Sequence, residues 1–232
     1  NNVQNDGLQA IAYKADTNVD GTPVLVFNPL SWERSDMVET TVRFTDAVPE
    51  QIAVYDGDTL VPSTVTARDE EKKTATIRFQ ANALPSVGFK IFTVKAGDGT
   101  VETNLSVEEN DSLFVMENEF LKVEIDKETG NIAQVYNKKD NNRPVFADGY
   151  QGNEIHIYKD TGGSSYPAWD LVMDEMNADP VAILDDTPEA IEIIENNPER
   201  VVVRVSRSWS NSSMYQDITL YPDSDRVDVK MH

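Results

Sequence analysis

The sequence predicts an all-β chain: a small antiparallel β-sandwich, then part of a larger β unit of the supersandwich kind, preceded by a short helical tail. Three observations carry this reading. Short runs of alternating apolar and polar residues recur at roughly ten-residue intervals, from Pro23 to Met231. Prolines, glycines and an Asp56-Gly57 hairpin signal punctuate them. No helix-length periodic segment lies between them to serve as the crossover of a parallel sheet.

Leu8, Ile11 and Ala12 stand at i, i+3, i+4 in an otherwise polar opening, which indicates a short helix ending a preceding helical element. The texture then changes. Residues 23–28 form a compact apolar run closed by Pro29. Val38, Thr40, Val42 and Phe44 alternate with Glu39, Thr41 and Arg43, as in a half-buried strand. Residues 51–55 lead into Asp56-Gly57, and residues 59–61 answer them across a hairpin. Ala75, Ile77 and Phe79 form one face of a further strand, and residues 89–94 supply another. Pro49, Pro62, Pro85, Gly88 and the charged stretch 68–73 read as loops or hairpin tips.

The polar stretch from Gly97 to Asp111 reads as a linker or a domain-crossing strand. Beyond it, Leu121, Val123 and Ile125 alternate with Lys122, Glu124 and Asp126, and Gly130 allows the reversal into a second strand, 132–136. Residues 153–158, 181–184, 190–194, 201–209, 214–221 and 226–231 continue the series with longer strands. The expected division is 1–21 (helical tail), 22–104 (small sandwich) and 105–232 (second β unit). The strand rhythm still runs at Met231-His232, so the second unit is expected to continue beyond this chain.

Composition narrows the function. A hydrophobic content of 39% is enough for a packed core, so the chain is globular. Lys+Arg is 20 against Asp+Glu 41, a formal charge of -21 that repels phosphate backbones and anionic lipid. Neither a nucleic-acid nor a membrane partner is expected, and the acidic surface suits a soluble protein of a bacterial-type cytoplasm. The absence of cysteine excludes disulfides, thiolate nucleophiles and Cys-type zinc sites.

Motifs that carry chemistry are scarce. The two histidines, His156 and His232, lie on different strands without ligand spacing. No Gly-x-Ser-x-Gly elbow occurs. Gly162-Gly163-Ser164-Ser165 lacks the lysine and helix start of a phosphate cradle. One loop, 159–173, stands apart because it sets Tyr166, Trp169 and Asp170 between strands. An aromatic face against sugar C–H surfaces, with a carboxylate accepting hydroxyl hydrogen bonds, is what a carbohydrate site requires. The structural alternative is that Trp169 plugs a sandwich edge and Asp170 caps a turn.

Several segments, in order, resemble one enzyme family. Val26-Phe27-Asn28-Pro29-Leu30-Ser31-Trp32-Glu33-Arg34 is similar to a segment that follows the catalytic and helical domains of family 38 glycoside hydrolases, the α-mannosidases. Glu117-Asn118-Glu119-Phe120-Leu121-Lys122-Val123 with Thr129-Gly130-Asn131-Ile132 resembles their next hairpin. Gly152-Asn153-Glu154-Ile155 with Ala168-Trp169-Asp170 resembles a block of the bacterial-type members, and residues 215–221 and 226–228 resemble the following strands. The resemblance implies a β-sandwich joined to part of a mutarotase-like supersandwich. It also implies a retaining α-mannosidase whose nucleophile and divalent metal, usually zinc, belong to an N-terminal catalytic domain. No segment here matches that domain, so no catalytic or metal residue is assigned and no cofactor is expected within this chain. By position, Tyr166, Trp169 and Asp170 either contact the mannoside or pack on the catalytic domain. The implied partners are the protein's own catalytic and helical domains and a mannoside, with a homo-oligomer of the full enzyme left open. A free-standing carbohydrate-binding β-module is the alternative. A mutarotase-like epimerase ranks last, since His156 is its one candidate acid or base.

Overall fold

The computed structural model describes residues 2–160, 165–166, 169–170 and 172–232. The chain is all-β and antiparallel, with one short N-terminal helix. It divides into two units, one of Asn1–Thr103 with Asn197–Glu199, the other of Asn104–Asn196 with Arg200–His232.

In the first unit, α1 (Asn2–Ala12) precedes seven strands: β1 (Thr22–Asn28), β2 (Arg34–Arg43), β3 (Ile52–Asp56), β4 (Thr59–Val61), β5 (Ser63–Asp69), β6 (Thr74–Leu84) and β7 (Gly88–Ala96). They form two sheets, β1-β7-β3-β4 and β2-β6-β5. The apolar face of each alternating run fills one shared core. Ile52, Val54, Phe92 and Val94 come from the first sheet, and Val42, Ile77, Phe79 and Ala81 from the second. Phe79 and Phe92 meet at 4.9 Å between ring centroids, within the range where tilted aromatic pairs attract. Gly57 takes φ +61 in the β3–β4 hairpin, as the Asp-Gly pair requires.

Strand β5 escapes the sequence reading because Ser-Thr-Val-Thr-Ala-Arg-Asp contains a single large apolar residue. It is an edge strand with little apolar face to show. Asn28 ends β1 by tying two loops together. Its Nδ2 donates to the carbonyls of Trp32 (2.8 Å), Leu84 (3.2 Å) and Pro85 (3.0 Å), and its Oδ1 accepts from Leu30 N (3.1 Å). Asn28→Ala should cost the unit about 2 kcal/mol, because one buried and two half-buried carbonyls lose their donor and the Leu30 amide its acceptor. A urea midpoint equal to wild type would refute this. Within the same unit, the buried Glu199 carboxylate accepts from Arg78 Nε (3.1 Å), Arg78 Nη2 (2.9 Å) and Thr64 Oγ1 (2.7 Å). A carboxylate buried without such donors would be costly.

The second unit carries β8 (Ser106–Glu109), β9 (Leu113–Glu117), β10 (Leu121–Asp126), β11 (Ile132–Asn137), β12 (Arg143–Pro144), β13 (His156–Ile157), a single helical turn α2 (Met173–Met176), β14 (Ala182–Ile183), β15 (Ala190–Asn197), β16 (Arg200–Trp209), β17 (Ser212–Leu220) and β18 (Val227–Met231). Sheets β12-β11-β10-β9-β8 and β15-β16-β17-β18 share a core. Val123, Ile125 and Met116 face Val201, Val203, Val205 and Ile218 in that core, all fully buried. The polar stretch read as a linker or a domain-crossing strand contains β8, which adds to the sheet through Val107 opposite Met116.

The long strand expected over 153–158 shrinks to His156–Ile157, paired with Ile183 and Ala182. This two-stranded ribbon lies outside the two larger sheets, and without a long partner a ribbon has little to extend it.

Two buried polar residues fix the ends of this sandwich. Asn118, wholly inaccessible, sits in the β9–β10 turn. Its Oδ1 accepts from Phe120 N (2.8 Å) and Leu121 N (2.7 Å), and its Nδ2 donates to the carbonyls of Tyr221 (2.6 Å) and Ser224 (2.7 Å) in the β17–β18 turn. At another turn, Gly130 lies under the guanidinium of buried Arg207. That group donates to Thr129 O, to Asn131 Oδ1 (3.3 Å) and to Asp186 O (3.1 Å). Burial pushes the Arg207 guanidinium below its ordinary value, with the carboxylates of Asp186 and Asp185 acting against the shift.

Candidate functional site

The loop singled out in the sequence lies between β13 and β14, in the second unit. Part of it, including Gly162-Gly163-Ser164 and Ala168, falls outside the described residues. Tyr166 and Trp169 stack on each other, ring centroids 6.1 Å apart and planes inclined by 13°. A short turn sets the pair, since Trp169 N and Asp170 N both donate to Tyr166 O at 2.9 Å. Trp169 is 86% exposed and Tyr166 63%, so the alternative in which Trp169 plugs a sandwich edge does not occur. Two adjacent ring faces reach solvent instead.

Asp170 opens onto a cleft of about 330 Å³. The apolar part of its wall is Tyr158, Val172 and Met176, and the charged part is Lys159, Asp160, Asp170 and Glu175. Tyr158 follows β13 directly, whereas Glu175 and Met176 come from α2. Sequence reasoning missed these α2 residues because a four-residue helix is too short to show a period. The cleft joins an apolar surface to hydrogen-bond acceptors, the chemistry needed to hold a polyol by its C–H face and its hydroxyls.

His156 points away from its half-buried neighbours Ile155 and Ile157, as the alternation indicates. One ring nitrogen meets the carboxylate of Glu154, two residues before it, and the other lies 3.4 Å from the Tyr158 hydroxyl. The sequence reading overlooks this pair, although its i, i+2 spacing in extended chain is the signal. His232 stacks on Tyr215 at 4.6 Å instead of joining any ligand set. Among the described residues, no three His, Cys, Asp or Glu side chains converge as a metal site would need. Trp32, in the other unit, is 59% exposed at the loop that Asn28 holds.

Comparison with known proteins bears on this arrangement. The alpha-mannosidase G of Dictyostelium discoideum is 29% identical over 162 residues, which covers 64% of this chain and 14% of that protein. The chain therefore spans about one seventh of the length of that relative. Residues 116–232 match the glycosyl hydrolases family 38 C-terminal domain. That stretch takes in most of the second unit, including the hairpin around Gly130, the aromatic pair and the cleft. With half of its length matching that domain, the chain belongs to glycosyl hydrolase family 38.

Proposed function

We propose that this chain is the non-catalytic β-region of a longer retaining α-mannosidase, and that it supports and partly lines the active site of the full enzyme. The observation that carries this reading is the match of residues 116–232 to the family's C-terminal domain. The name of the relative adds the substrate class. In this reading the nucleophile and the acid/base carboxyl of two-step glycoside cleavage lie in a separate catalytic domain, as does the divalent metal, taken as zinc.

Tyr166, Trp169 and Asp170 are the part of this chain that reaches the substrate or the catalytic domain. An exposed stacked pair beside an open cleft supports that role, because large aromatic surface left in water favours a partner. The partners are then the protein's own catalytic and helical domains and a mannoside. The acidic, cysteine-free composition supports a cytoplasmic setting.

The test is turnover of a nitrophenyl α-mannoside by the full-length protein, with none by residues 1–232 alone. Hydrolysis by the isolated chain would overturn the division of labour. Mannose binding by the isolated chain would favour a stand-alone carbohydrate-binding module. In the full-length enzyme, Trp169→Ala should lower kcat/KM about tenfold, equivalent to roughly 1.4 kcal/mol. Its melting temperature should stay near wild type, since the indole is solvent-exposed here. Unchanged kinetics would remove Trp169 from the site.

A further inference from the structure

In the first unit, β1 and β7 are apolar on both faces. Val24 and Val26 of β1 turn inward to the core that holds Phe92 and Val94 of β7. Alternation therefore sends Leu25, Phe27, Phe89 and Ile91 to the opposite side of the sheet. There Leu25 lies opposite Ile91 and Phe27 opposite Phe89, with the two phenyl centroids 5.5 Å apart. All four are half-buried, and among the described residues none of them belongs to either core. Strands with apolar side chains on both faces suit a sheet that is covered twice.

This outer face ends where β1 and β7 pair Asn28 with Gly88. Beyond that end, Trp32 is 59% exposed and Val87 74%. Their two loops are held firmly, by the Asn28 side chain and by Val87 N donating to Leu30 O at 2.8 Å. Val87 sits at φ +44, a conformation that a β-branched residue seldom adopts. Two tied loops thus each present an apolar side chain to water, one of them under backbone strain.

We infer that in the longer protein this face is an interface, covered by the part of the same chain that precedes residue 1, with Trp32 as its anchor. The inference rests on the reading above, of a β-region within a longer mannosidase. Two features select the occupant. Residues 116–232 match a C-terminal domain, and the chain spans about one seventh of its relative, so in that reading most of the protein comes before this unit. A covalently tethered partner also has a high effective concentration. A second copy would instead set one formal charge of -21 against another, and an anionic lipid surface would be repelled in the same way.

The test uses the full-length protein, with hydroxyl-radical footprinting read by mass spectrometry. Trp32 should be oxidised about tenfold more slowly than in the unfolded protein, a protection that an indole 59% exposed does not have. Trp32→p-benzoylphenylalanine keeps an aromatic side chain in place and, on irradiation, should cross-link within one molecule to a peptide preceding residue 1. Trp32→Asp should speed oxidation of Phe27 and Phe89 about tenfold, and Trp32→Phe should leave them near wild type. Amide exchange at Ile77 and Phe79, in the core, should be the same in both variants, which separates undocking from unfolding. Oxidation of Trp32 at its unfolded rate overturns the interface, as does a Trp32→Asp variant that leaves Phe27 and Phe89 protected. A cross-link between two molecules, or to any peptide not preceding residue 1, overturns the occupant. Mannoside turnover, measured in parallel, decides the enzyme reading and not this one.

Discussion

Gly130→Ala is expected to destabilise the second unit by about 3 kcal/mol, seen as a loss of roughly 10 °C in its thermal midpoint. Two costs combine. Gly130 holds φ +68, where a β-carbon is disfavoured. The added carbon would also lie 2.6 Å from Val205 Cγ1 and 2.8 Å from Arg207 Nη2. Neither neighbour has room to retreat. Val205 is fully buried in the shared core, and the Arg207 guanidinium is held by Thr129 O, Asn131 Oδ1 and Asp186 O. Displacing that guanidinium would loosen a buried charge from its acceptors. The check is a melting curve read by near-UV circular dichroism, with hydrogen exchange at Ile125 and Ile132 to locate the loss. A midpoint within about 2 °C of wild type would show that the turn yields without disturbing the facing sheet.

This expectation is only half legible in the sequence. Lys127-Glu128-Thr129-Gly130-Asn131 declares a reversal and points to Gly130 as its pivot. The chain confirms it, with Gly130 N donating to Asp126 O at 2.7 Å. Nothing local announces that Arg207, more than seventy residues away, closes over the same glycine. The contrast recurs elsewhere. A strand with a strict two-residue period, such as β10, can be read because one burial face repeats along it, and in β16 the face of Val201, Val203 and Val205 still shows although Val202 is buried too. Edge strand β5 and the short β8 cannot, because few of their side chains reach the core. The partners of Asn28 at Leu84 and Pro85 and of Arg78 at Glu199 are set by tertiary approach, to which periodicity is blind.

The candidate site divides the same way. Tyr166, Trp169 and Asp170 stand out by residue type in a loop. Their stacking depends on the turn closed at Tyr166 O, and the cleft that Met176 and Glu175 complete depends on one turn of helix too short to leave a pattern. Family likeness adds what neither period nor residue type supplies. It marks the Gly130 hairpin and the aromatic loop as parts of one domain, matched together over residues 116–232.

Asn118→Ala is expected to cost about 4 kcal/mol, more than the glycine substitution, because it takes from four main-chain groups, one buried and three half-buried, the partner that a wholly inaccessible side chain supplies. Those groups are the amides of Phe120 and Leu121 and the carbonyls of Tyr221 and Ser224. The first pair belongs to the β9–β10 turn and the second to the β17–β18 turn, so one amide side chain joins the two sheets at their ends. The isosteric Asn118→Asp separates the two halves of the role. Its carboxyl can still accept from the two amides, but an ionised oxygen would face two carbonyl oxygens in a site with no water contact. Burial and those carbonyls should hold the new group's folded pKa above the unfolded value of about 3.9. The folded state then binds the proton more tightly than the unfolded state. The penalty of Asn118→Asp should therefore be smallest below about pH 4 and grow as pH rises through the folded pKa. Urea denaturation of both variants at pH 4 and pH 7 measures this directly. A penalty for Asn118→Asp that does not change with pH would mean that the Nδ2 donors to Tyr221 and Ser224 are dispensable. The two turns would then be held by core packing alone.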